Sequence, residues 1–503
     1  MELKLLKPIL LLFIGLGVVK SQAQSITEEK YRPAFHYSPQ AHWMNDPNGM
    51  VYYDGVYHLF YQYYPGGTTW GPMHWGHATT RDLFHWEEKP IALYPDSLGA
   101  IFSGSAVIDK DNTAGFGTNA MVAIFTHHNQ KMEDAKTGRH QYQSLAYSND
   151  EGVTWQKYKG NPVLPNPGIT DFRDPKVMWY EAGKKWLMTL ATKDRITFYS
   201  SANLKTWKRE SEFGANLGAH GGVWECPDLF PLKSNGKTFW VLLVSINPGG
   251  PNKGSATQYF IGDFDGKNFV PQSKAIKWVD YGTDNYAGVT WSNNGSRKIF
   301  LGWMNNWLYA NQVPTHTWRG ATTIPRELTL VNEHGDLFLQ SLPVKELNPL
   351  LKLVYSKKFL SEDKELDLSA NFKPLKGKVK LNVTLENKGN LSIILANSKG
   401  QKLVIGYNQK KNTYFIDRRQ SGETSFAKGF GAKHSAPRIS TSPQLKLSLI
   451  LDEASVELFA DDGLTVMTDV FFPETPLEIL KIQKTSQNKS IGISLWSINK
   501  TYR

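Results

Sequence analysis

A short phrase, a polar turn closed by an aromatic residue, recurs along the first part of the chain. Three copies and a weaker fourth occupy residues 80–86, 148–155, 201–207 and 262–269. The copies are about 50 to 70 residues apart, which is the length of one propeller blade with its loops. Between them, short runs rich in Val, Ile, Tyr, Phe and Trp alternate with clusters of Gly, Pro, Asn and Asp, as in all-β proteins. The pattern predicts a β-propeller of about five blades over residues 31–340, although unrelated hairpins would also explain it.

The pattern changes after residue 340. Residues 341–354 contain Pro343 and Pro349 and are predicted to form a short linker. Beyond it, apolar or alternating runs typical of strands occupy residues 378–385, 391–395, 445–451 and 456–459. Residues 355–503 are therefore predicted to form a second domain, a β-sandwich. This domain could bind sugar, mediate dimerisation or cover the flank of the propeller, and we expect the structural role.

Charge and cysteine content limit the partners. The formal net charge is +11, yet Lys and Arg are dispersed, so a solvated basic surface is expected and no nucleic-acid groove. Cys226 is the only cysteine, which rules out an intramolecular disulfide and a thiolate metal cluster. The pairs His74 with His77 and His127 with His128 lack further ligands at a recognisable spacing, so no metal site is predicted. No glycine-rich phosphate loop is present, and no cofactor is expected.

The first residues have the layout of a secretory signal. Lys4 and Lys7 precede an apolar run over residues 9–19, and small residues follow up to a cleavage point after about Ala23. The apolar run is shorter than the roughly 20 residues that span a bilayer, which argues against a membrane anchor. We therefore expect residues 1–23 to be removed and the mature protein to be secreted or periplasmic, without membrane attachment. The sequence leaves its oligomeric state open.

Three acidic residues lie in unusually specific settings. Asp46 is followed by proline and an Asn-Gly turn pair, which predicts a constrained loop at a strand end. Asp174 follows Arg173, whose guanidinium would favour the ionised carboxylate if the two side chains meet. Glu225 has apolar neighbours that would favour a protonated carboxyl on burial, as a general acid requires. One ionised and one protonated carboxyl, with a third that stabilises positive charge on the sugar, are typical of glycoside hydrolysis.

Several motifs together resemble glycoside hydrolase family 32, the β-fructosidases, which include levanases, inulinases and invertases. The resemblance depends mainly on Trp43-Met44-Asn45-Asp46-Pro47-Asn48-Gly49, Phe102-Ser103-Gly104-Ser105, Phe172-Arg173-Asp174-Pro175 and Trp224-Glu225-Cys226-Pro227-Asp228. Residues 70–77 and 284–287 fit the same family, and residues 416–422 and 457–463 resemble its sandwich domain. Each motif alone is moderately specific, whereas their order over nearly the whole mature chain is strong.

The resemblance implies an all-β chain, a five-bladed β-propeller followed by a β-sandwich, and a retaining mechanism. By position, Asp46 would be the nucleophile, Glu225 the general acid/base and Asp174 the transition-state stabiliser. The implied substrate is a terminal β-D-fructofuranosyl unit of levan, inulin or sucrose. The residues implied to line its pocket are Asn45, Gln62, Trp70, Phe102, Ser103, Arg173 and Trp303. Amide, hydroxyl and guanidinium groups would bond sugar hydroxyls, and tryptophan would offer an apolar face.

Three other functions stay open on the sequence alone. A fructosyltransferase would share the catalytic motifs and differ in its acceptor subsites. An inverting hydrolase of arabinan or xylan would hold its carboxylates farther apart and would not need residues 43–49 as they stand. A non-catalytic sugar-binding propeller would not need a protonated acid beside an ionised nucleophile, so the three carboxylates argue against it. The motifs do not determine linkage preference or exo versus endo action, because loops at the pocket mouth set both.

Overall fold

The computed structural model describes residues 29–361, 363–386, 389–485 and 489–501. The predicted signal segment lies outside these ranges. The regular secondary structure of the described chain is mostly strand, as predicted. Two short α-helices interrupt them, α1 (Gln130–Asp134) and α2 (Ser369–Phe372). Among the described residues, none of the helices has the length and apolar character needed to cross a membrane.

Five sheets form the five blades of a propeller. Blade one contains β1 (His42–Tyr53), β2 (Val56–Tyr64), β3 (His74–Thr80) and β4 (Glu87–Leu93). Blade two contains β5 (Ala100–Asp109), β6 (Ala120–His128), β7 (Gln141–Ser148) and β8 (Gln156–Lys157). Blade three contains β9 (Phe172–Tyr180), β10 (Lys185–Thr192), β11 (Arg195–Ser201) and β12 (Lys208–Phe213). Blade four contains β13 (Val223–Ser234), β14 (Lys237–Asn247), β15 (Ala256–Phe264), β16 (Phe269–Pro271) and β17 (Lys277–Trp278).

The last blade also closes the ring. Its strands follow in the order β18 (Tyr286–Thr290), β19 (Ile299–Trp303), β20 (Trp318–Arg319), β21 (Arg326–Glu333) and β22 (Asp336–Pro343). Strand β20 leaves this sheet and pairs in parallel with β1, matching His42 with Trp318. This pairing joins blade five to blade one through backbone hydrogen bonds, so the propeller does not depend on side-chain packing alone for closure.

The repeated sequence phrases have one structural role. Each of them forms the turn between the third and fourth strands of its blade, in blades one to four. In blade two, Asp150 accepts from the backbone and hydroxyl of Thr154 at 2.9 and 2.6 Å, and Trp155 donates to the Gly152 carbonyl at 3.1 Å. The polar residues therefore cap the turn while the aromatic residue folds over it.

The C-terminal part is a sandwich of two six-stranded sheets. One sheet is ordered β23-β34-β25-β30-β31-β32 and the other β24-β33-β26-β27-β28-β29. The bounds are β23 (Leu351–Ser361), β24 (Glu365–Asp367), β25 (Val379–Glu386), β26 (Leu391–Ala396), β27 (Lys402–Asn408), β28 (Thr413–Gln420), β29 (Lys433–Pro437), β30 (Gln444–Asp452), β31 (Ser455–Ala460), β32 (Thr465–Val470), β33 (Ile479–Lys484) and β34 (Lys489–Ile498). Alternate residues of β25 are fully buried between the sheets, as a sandwich core requires. The predicted linker holds a 3₁₀ helix (Lys345–Leu350), and β23 begins directly after it.

A buried ionic network joins the two domains. Arg326 of β21 donates to Asp280 at 2.9 Å and also to Glu457 of β31. Glu457 further accepts from the Ile324 amide at 2.9 Å and lies 2.8 Å from His36, whose other ring nitrogen lies 2.8 Å from Asp452. Burial alone would lower the pKa of His36, but the two carboxylates outweigh burial and raise this pKa to about 9. His36 is therefore charged at neutral pH, and the network sets two cationic side chains, Arg326 and His36, among three carboxyl groups.

Replacing Glu457 by Gln should destabilise the protein strongly, because Arg326 and His36 would keep buried charges without this partner. The expected loss in free energy of unfolding is about 3–5 kcal/mol, measured by urea or thermal unfolding. The matched control is Glu365→Gln, which breaks an exposed pair with Lys481 at 2.7 Å and should leave the unfolding midpoint unchanged. Equal midpoints for the two variants would contradict the assigned role of the network.

Candidate active site

The first strands of the five blades surround the propeller axis. Strand β1 packs against β5 and β18, and β9 packs against β5 and β13. Each of these inner strands loses its regular pairing in the same half of the strand, and β1 loses it a second time between Asn48 and Val51. The breaks lie between Met44 and Pro47, Phe102 and Gly104, Arg173 and Lys176, Glu225 and Asp228, and Tyr286 and Val289. Such β-bulges re-aim side chains, and these five turn polar groups of every blade toward one end of the axis.

Proline or glycine stands at each of the five bulges. Pro47, Pro175 and Pro227 lack the amide that regular pairing would need. In blades two and five the residue is Gly104 or Gly288, where an added Cβ would lie 2.0 Å from the Ile124 carbonyl oxygen or 2.1 Å from the Phe300 ring. The local sequence therefore prevents regular pairing at the positions where the candidate site needs its side chains.

One cavity of about 360 Å³ opens at this end of the axis. It collects all three predicted catalytic carboxyls and six of the seven predicted pocket residues. These nine residues are Asn45, Asp46, Gln62, Trp70, Phe102, Ser103, Arg173, Asp174 and Glu225. The amide nitrogen of Gln62 is buried and has no hydrogen-bond partner among the described residues, so it is free to donate to a ligand. The described residues contain no cluster of three or more side chains suited to a metal ion.

The seventh predicted pocket residue, Trp303, does not line the cavity. Its side chain is fully buried, with ring centroids 5.9 Å from Trp43 and 5.0 Å from Trp307. Of Trp303 and Trp307, only Trp307, which follows β19 in a loop, reaches the cavity. The sequence did not distinguish the two, because the chain turns after Trp303 and only the later ring faces outward. Trp303 therefore supports the wall from behind.

Asp46 lies on β1 and accepts hydrogen bonds from an amide and a hydroxyl, and the Cys226 thiol lies 3.7 Å from it. Asn45 donates to one carboxylate oxygen at 2.9 Å and Ser103 to the other at 3.0 Å. Burial raises the pKa of Asp46 to about 6, and the negative charge of Glu225 adds to this rise, while the two donors oppose it. The two hydrogen bonds fix the carboxylate plane, which is what a nucleophilic carboxylate requires.

Asp174 differs from its predicted electrostatic state. It adopts a left-handed backbone, φ 63°, and its carboxylate accepts from the Cys226 amide at 2.9 Å. Burial raises its pKa to about 7; Arg173 opposes this shift, whereas Glu225 and Asp46 add to it. Arg173 favours the ionised form, as predicted, but its guanidinium bonds Asp171 and Glu225 and does not bond Asp174 among the described contacts. Burial and the two neighbouring carboxyls therefore outweigh Arg173 and raise the pKa of Asp174.

Glu225 is surrounded by donors, whereas the sequence predicted apolar contacts. Arg173 donates to one carboxylate oxygen from Nε at 3.2 Å and from Nη2 at 3.0 Å, and the Tyr286 hydroxyl donates to the other. Trp224 is buried and strand geometry points it away from the Glu225 carboxyl, whereas the buried Cys226 turns its thiol toward Asp46 and Asp174. The side chain is 20% exposed, so the carboxyl reaches the cavity while its orientation is fixed by two other blades.

The sequence analysis missed several residues of the cavity. The missed lining residues are His128, Glu133, His140, Gln141, Thr170, Asp171 and Trp307. Tyr286 lies in the motif at residues 284–287, but the sequence does not predict that its hydroxyl donates to Glu225. Gln141 and Asp171 hold Arg173, at 3.3 and 2.6 Å, and lie far from each other along the chain. The Gln141 contact depends on how blades two and three pack, so no local signal in the sequence marks it, whereas Asp171 lies only two residues before Arg173.

The chain matches known proteins over almost its whole length. The family model described as Glycosyl hydrolases family 32 N-terminal domain matches residues 36–341, and the model described as Glycosyl hydrolases family 32 C terminal matches residues 347–498. A levanase of Bacillus subtilis is 48% identical, with 90% of this chain and 68% of that protein aligned. An extracellular exo-inulinase of Aspergillus niger is 36% identical over 94% of this chain and 96% of that protein.

Solved structures agree with this relationship. The crystal structure of exo-inulinase from Aspergillus awamori aligns with a TM-score of 0.86 at 36% identity, covering 94% of this chain and 99% of that chain. A fructofuranosidase from Schwanniomyces occidentalis complexed with fructose aligns with a TM-score of 0.83 at 32% identity, covering 95% and 100% of the two chains. The predicted architecture, a five-bladed propeller followed by a sandwich, is confirmed.

The pKa of Asp46 predicts where activity falls on the acid side. If Asp46 attacks as a carboxylate, kcat/KM on a fructoside should decline below about pH 6. Ser103→Ala removes a donor that stabilises the ionised form, so the acidic limb should move upward by about one pH unit. Ser200→Ala, which removes a hydroxyl bonded to Glu210 at 2.6 Å away from the cavity, is the matched control. An unmoved acidic limb in Ser103→Ala would exclude Asp46 as the group that titrates there.

Proposed function

The chain belongs to glycosyl hydrolase family 32, and from this membership we propose that it releases terminal β-D-fructofuranosyl units from levan, inulin or sucrose. It is a β-fructofuranosidase that acts on fructans and sucrose and uses no cofactor. The single observation that carries the mechanistic proposal is the convergence of Asp46, Asp174 and Glu225, from three blades, on one cavity. A sugar-binding module would not need these three carboxyls on one ligand.

The proposed reaction is a double displacement at C-2 of the fructosyl unit. Asp46 attacks the anomeric carbon while Glu225 gives its proton to the leaving oxygen, which forms a fructosyl ester. Glu225, now ionised, then takes a proton from water, and the water oxygen displaces Asp46. Two inversions give net retention, so the product is the β anomer.

The other cavity residues would bind and orient the fructosyl unit. Asp174 would bond adjacent hydroxyls and, as a carboxylate, stabilise positive charge on the ring. Arg173, which pairs with Glu225, would exchange part of that pairing for sugar hydroxyls. Asn45, Gln62 and Ser103 would supply further hydrogen bonds.

Two aromatic side chains would form the apolar part of the pocket. Trp70 is 41% exposed at the rim, and its ring meets Phe102 edge to face at 6.1 Å. Their faces would cover the carbon-bound hydrogens of the sugar.

We also propose that the mature protein is secreted or periplasmic. The signal-like layout of residues 1–23 supports this location, and the related exo-inulinases are described as extracellular. Export would bring the enzyme to fructans, which are too large to cross a bilayer unaided.

Product analysis tests the proposed function. The purified protein is incubated separately with levan, inulin and sucrose, and free fructose and oligosaccharides are followed over time. Fructose should accumulate from the start, and Asp46→Ala and Glu225→Ala should each reduce its release by at least about a thousandfold without unfolding the protein. Early oligosaccharides from a fructan would instead indicate internal cleavage, and new fructosylated products from sucrose would indicate transfer. Failure to cut any of the three would overturn the proposal.

A further inference from the structure

The segment that leads into blade five is attached to an edge strand of the sandwich. The Tyr281 amide donates to the Val466 carbonyl at 2.8 Å, and the Asp284 amide donates to the Thr468 carbonyl at 3.0 Å. Strand β32 lies at the edge of its sheet, so these bonds use backbone groups that would otherwise lack partners. Gly282 permits the close approach, because an added Cβ would lie 2.1 Å from the Thr468 oxygen.

Side chains strengthen this attachment in both directions. The Thr468 amide donates to Asp280 at 2.8 Å, and the Val470 amide donates to Asp284 at 2.8 Å. The Thr283 amide in turn donates to Asp469 at 3.1 Å. The whole segment 280–284 is therefore fixed to the sandwich and not only to its own blade.

Arg418 of β28 is the central side chain of this junction. It is fully buried and donates to Asp284 at 2.6 Å, to the Tyr309 hydroxyl at 2.8 Å and to the Val470 carbonyl at 2.9 Å. The Tyr309 hydroxyl donates to the other oxygen of Asp284 at 2.5 Å. Asp284 thus has every carboxylate oxygen bonded, and its position depends on a cation supplied by the other domain.

Asp284 stands two residues before Tyr286, the first residue of β18. Tyr286 is buried, and its hydroxyl donates to Glu225. Burial raises the pKa of Tyr286 well above its usual range, and the charge of Glu225 adds to the rise, so the hydroxyl keeps its proton. Besides Tyr286, the titratable groups that face Glu225 are Arg173 and Asp174 from β9, Asp46 from β1 and Cys226 from its own strand.

We infer that Arg418 is a positioning residue for catalysis: through Asp284 it holds Tyr286 against Glu225, so the sandwich helps to orient the acid/base. This inference rests on the role proposed for Glu225. It also extends the role expected for the sandwich, since a domain that only covers the propeller would not need to fix this segment. A carboxyl that must first give and then take a proton needs one orientation in both steps, and the Tyr286 hydroxyl supplies it.

The test compares Arg418→Lys with Arg438→Lys. Arg438 is the matched control, because it is also buried and also bonds one aspartate and one tyrosine, Asp461 at 2.8 Å and Tyr414 at 3.1 Å, but has no contact with segment 280–286. Arg418→Lys should lower kcat on sucrose on the order of ten- to a hundredfold with little change in KM, whereas Arg438→Lys should keep kcat. Both variants are first checked for folding by thermal unfolding.

Three further readouts separate positioning from general support. Tyr286→Phe removes a hydrogen bond to the Glu225 carboxyl, and Arg418→Lys should loosen the same bond. The pH–rate profile should therefore shift in the same direction in both variants, and less in Arg418→Lys. The leaving group of β-D-fructofuranosyl fluoride needs little protonation. Arg418→Lys should therefore lower kcat less on this substrate than on sucrose. In the double variant, Arg418→Lys should add little to the loss of kcat that Tyr286→Phe causes alone.

A pH profile for Arg418→Lys that matches Arg438→Lys, or losses that multiply with those of Tyr286→Phe, would overturn the inference. Should Arg418→Lys fail to fold, Asp284→Asn removes the charge from the same junction and is judged by the same criteria. Glu225→Gln distinguishes the proposed role of Glu225 from the positioning role of Arg418. If Glu225→Gln keeps its activity on sucrose, the proposed role of Glu225 is wrong, whereas an inactive Glu225→Gln beside an unaffected Arg418→Lys refutes the positioning role alone.

Discussion

Burial of several carboxyl groups in one cavity is the constraint on which the site depends. Asp46, Asp174 and Glu225 line this cavity; burial raises the cost of ionising Asp46 and Asp174, and the charge of Glu225 adds to it in both cases. The three carboxyls accept hydrogen bonds from different donors. Asp46 accepts from an amide and a hydroxyl, Asp174 from a backbone amide, and Glu225 from a guanidinium and a phenol. Unequal surroundings are what allow chemically similar groups to serve as nucleophile, hydrogen-bonding partner and proton carrier.

The propeller supplies the geometry that brings these groups together. Five inner strands run along one axis, and each carries a bulge at the same level, so residues remote in sequence meet at one end. Prolines fix three bulges and glycines the other two, which makes the distortion a property of the local sequence. The sandwich holds the blade-five segment in place through Arg418, and the network of Arg326 and Glu457 keeps the two domains together.

Much of this could be predicted from the sequence. The spacing of the polar turns gave the blades, and proline or aromatic neighbours marked Asp46, Asp174 and Glu225 before any contact was known. The failures are of one kind. Trp303 was predicted to line the pocket but lies behind Trp307, because the turn after β19 has no clear sequence signature. The contact expected between Arg173 and Asp174 is replaced by bonds from Arg173 to Glu225 and Asp171. The donor to Glu225 and the role of Arg418 depend on packing between blades and between domains, which short-range patterns do not encode.

The claim that Asp46 is the nucleophile is tested most directly by trapping the fructosyl-enzyme. The protein is mixed with saturating sucrose, quenched in acid within milliseconds and digested, and the peptide that contains Asp46 is examined by mass spectrometry. We predict that this peptide gains the mass of one fructosyl unit, and that the gain disappears in Asp46→Asn. A fructosyl unit on another residue, or a burst of product with no modified peptide, would contradict the account.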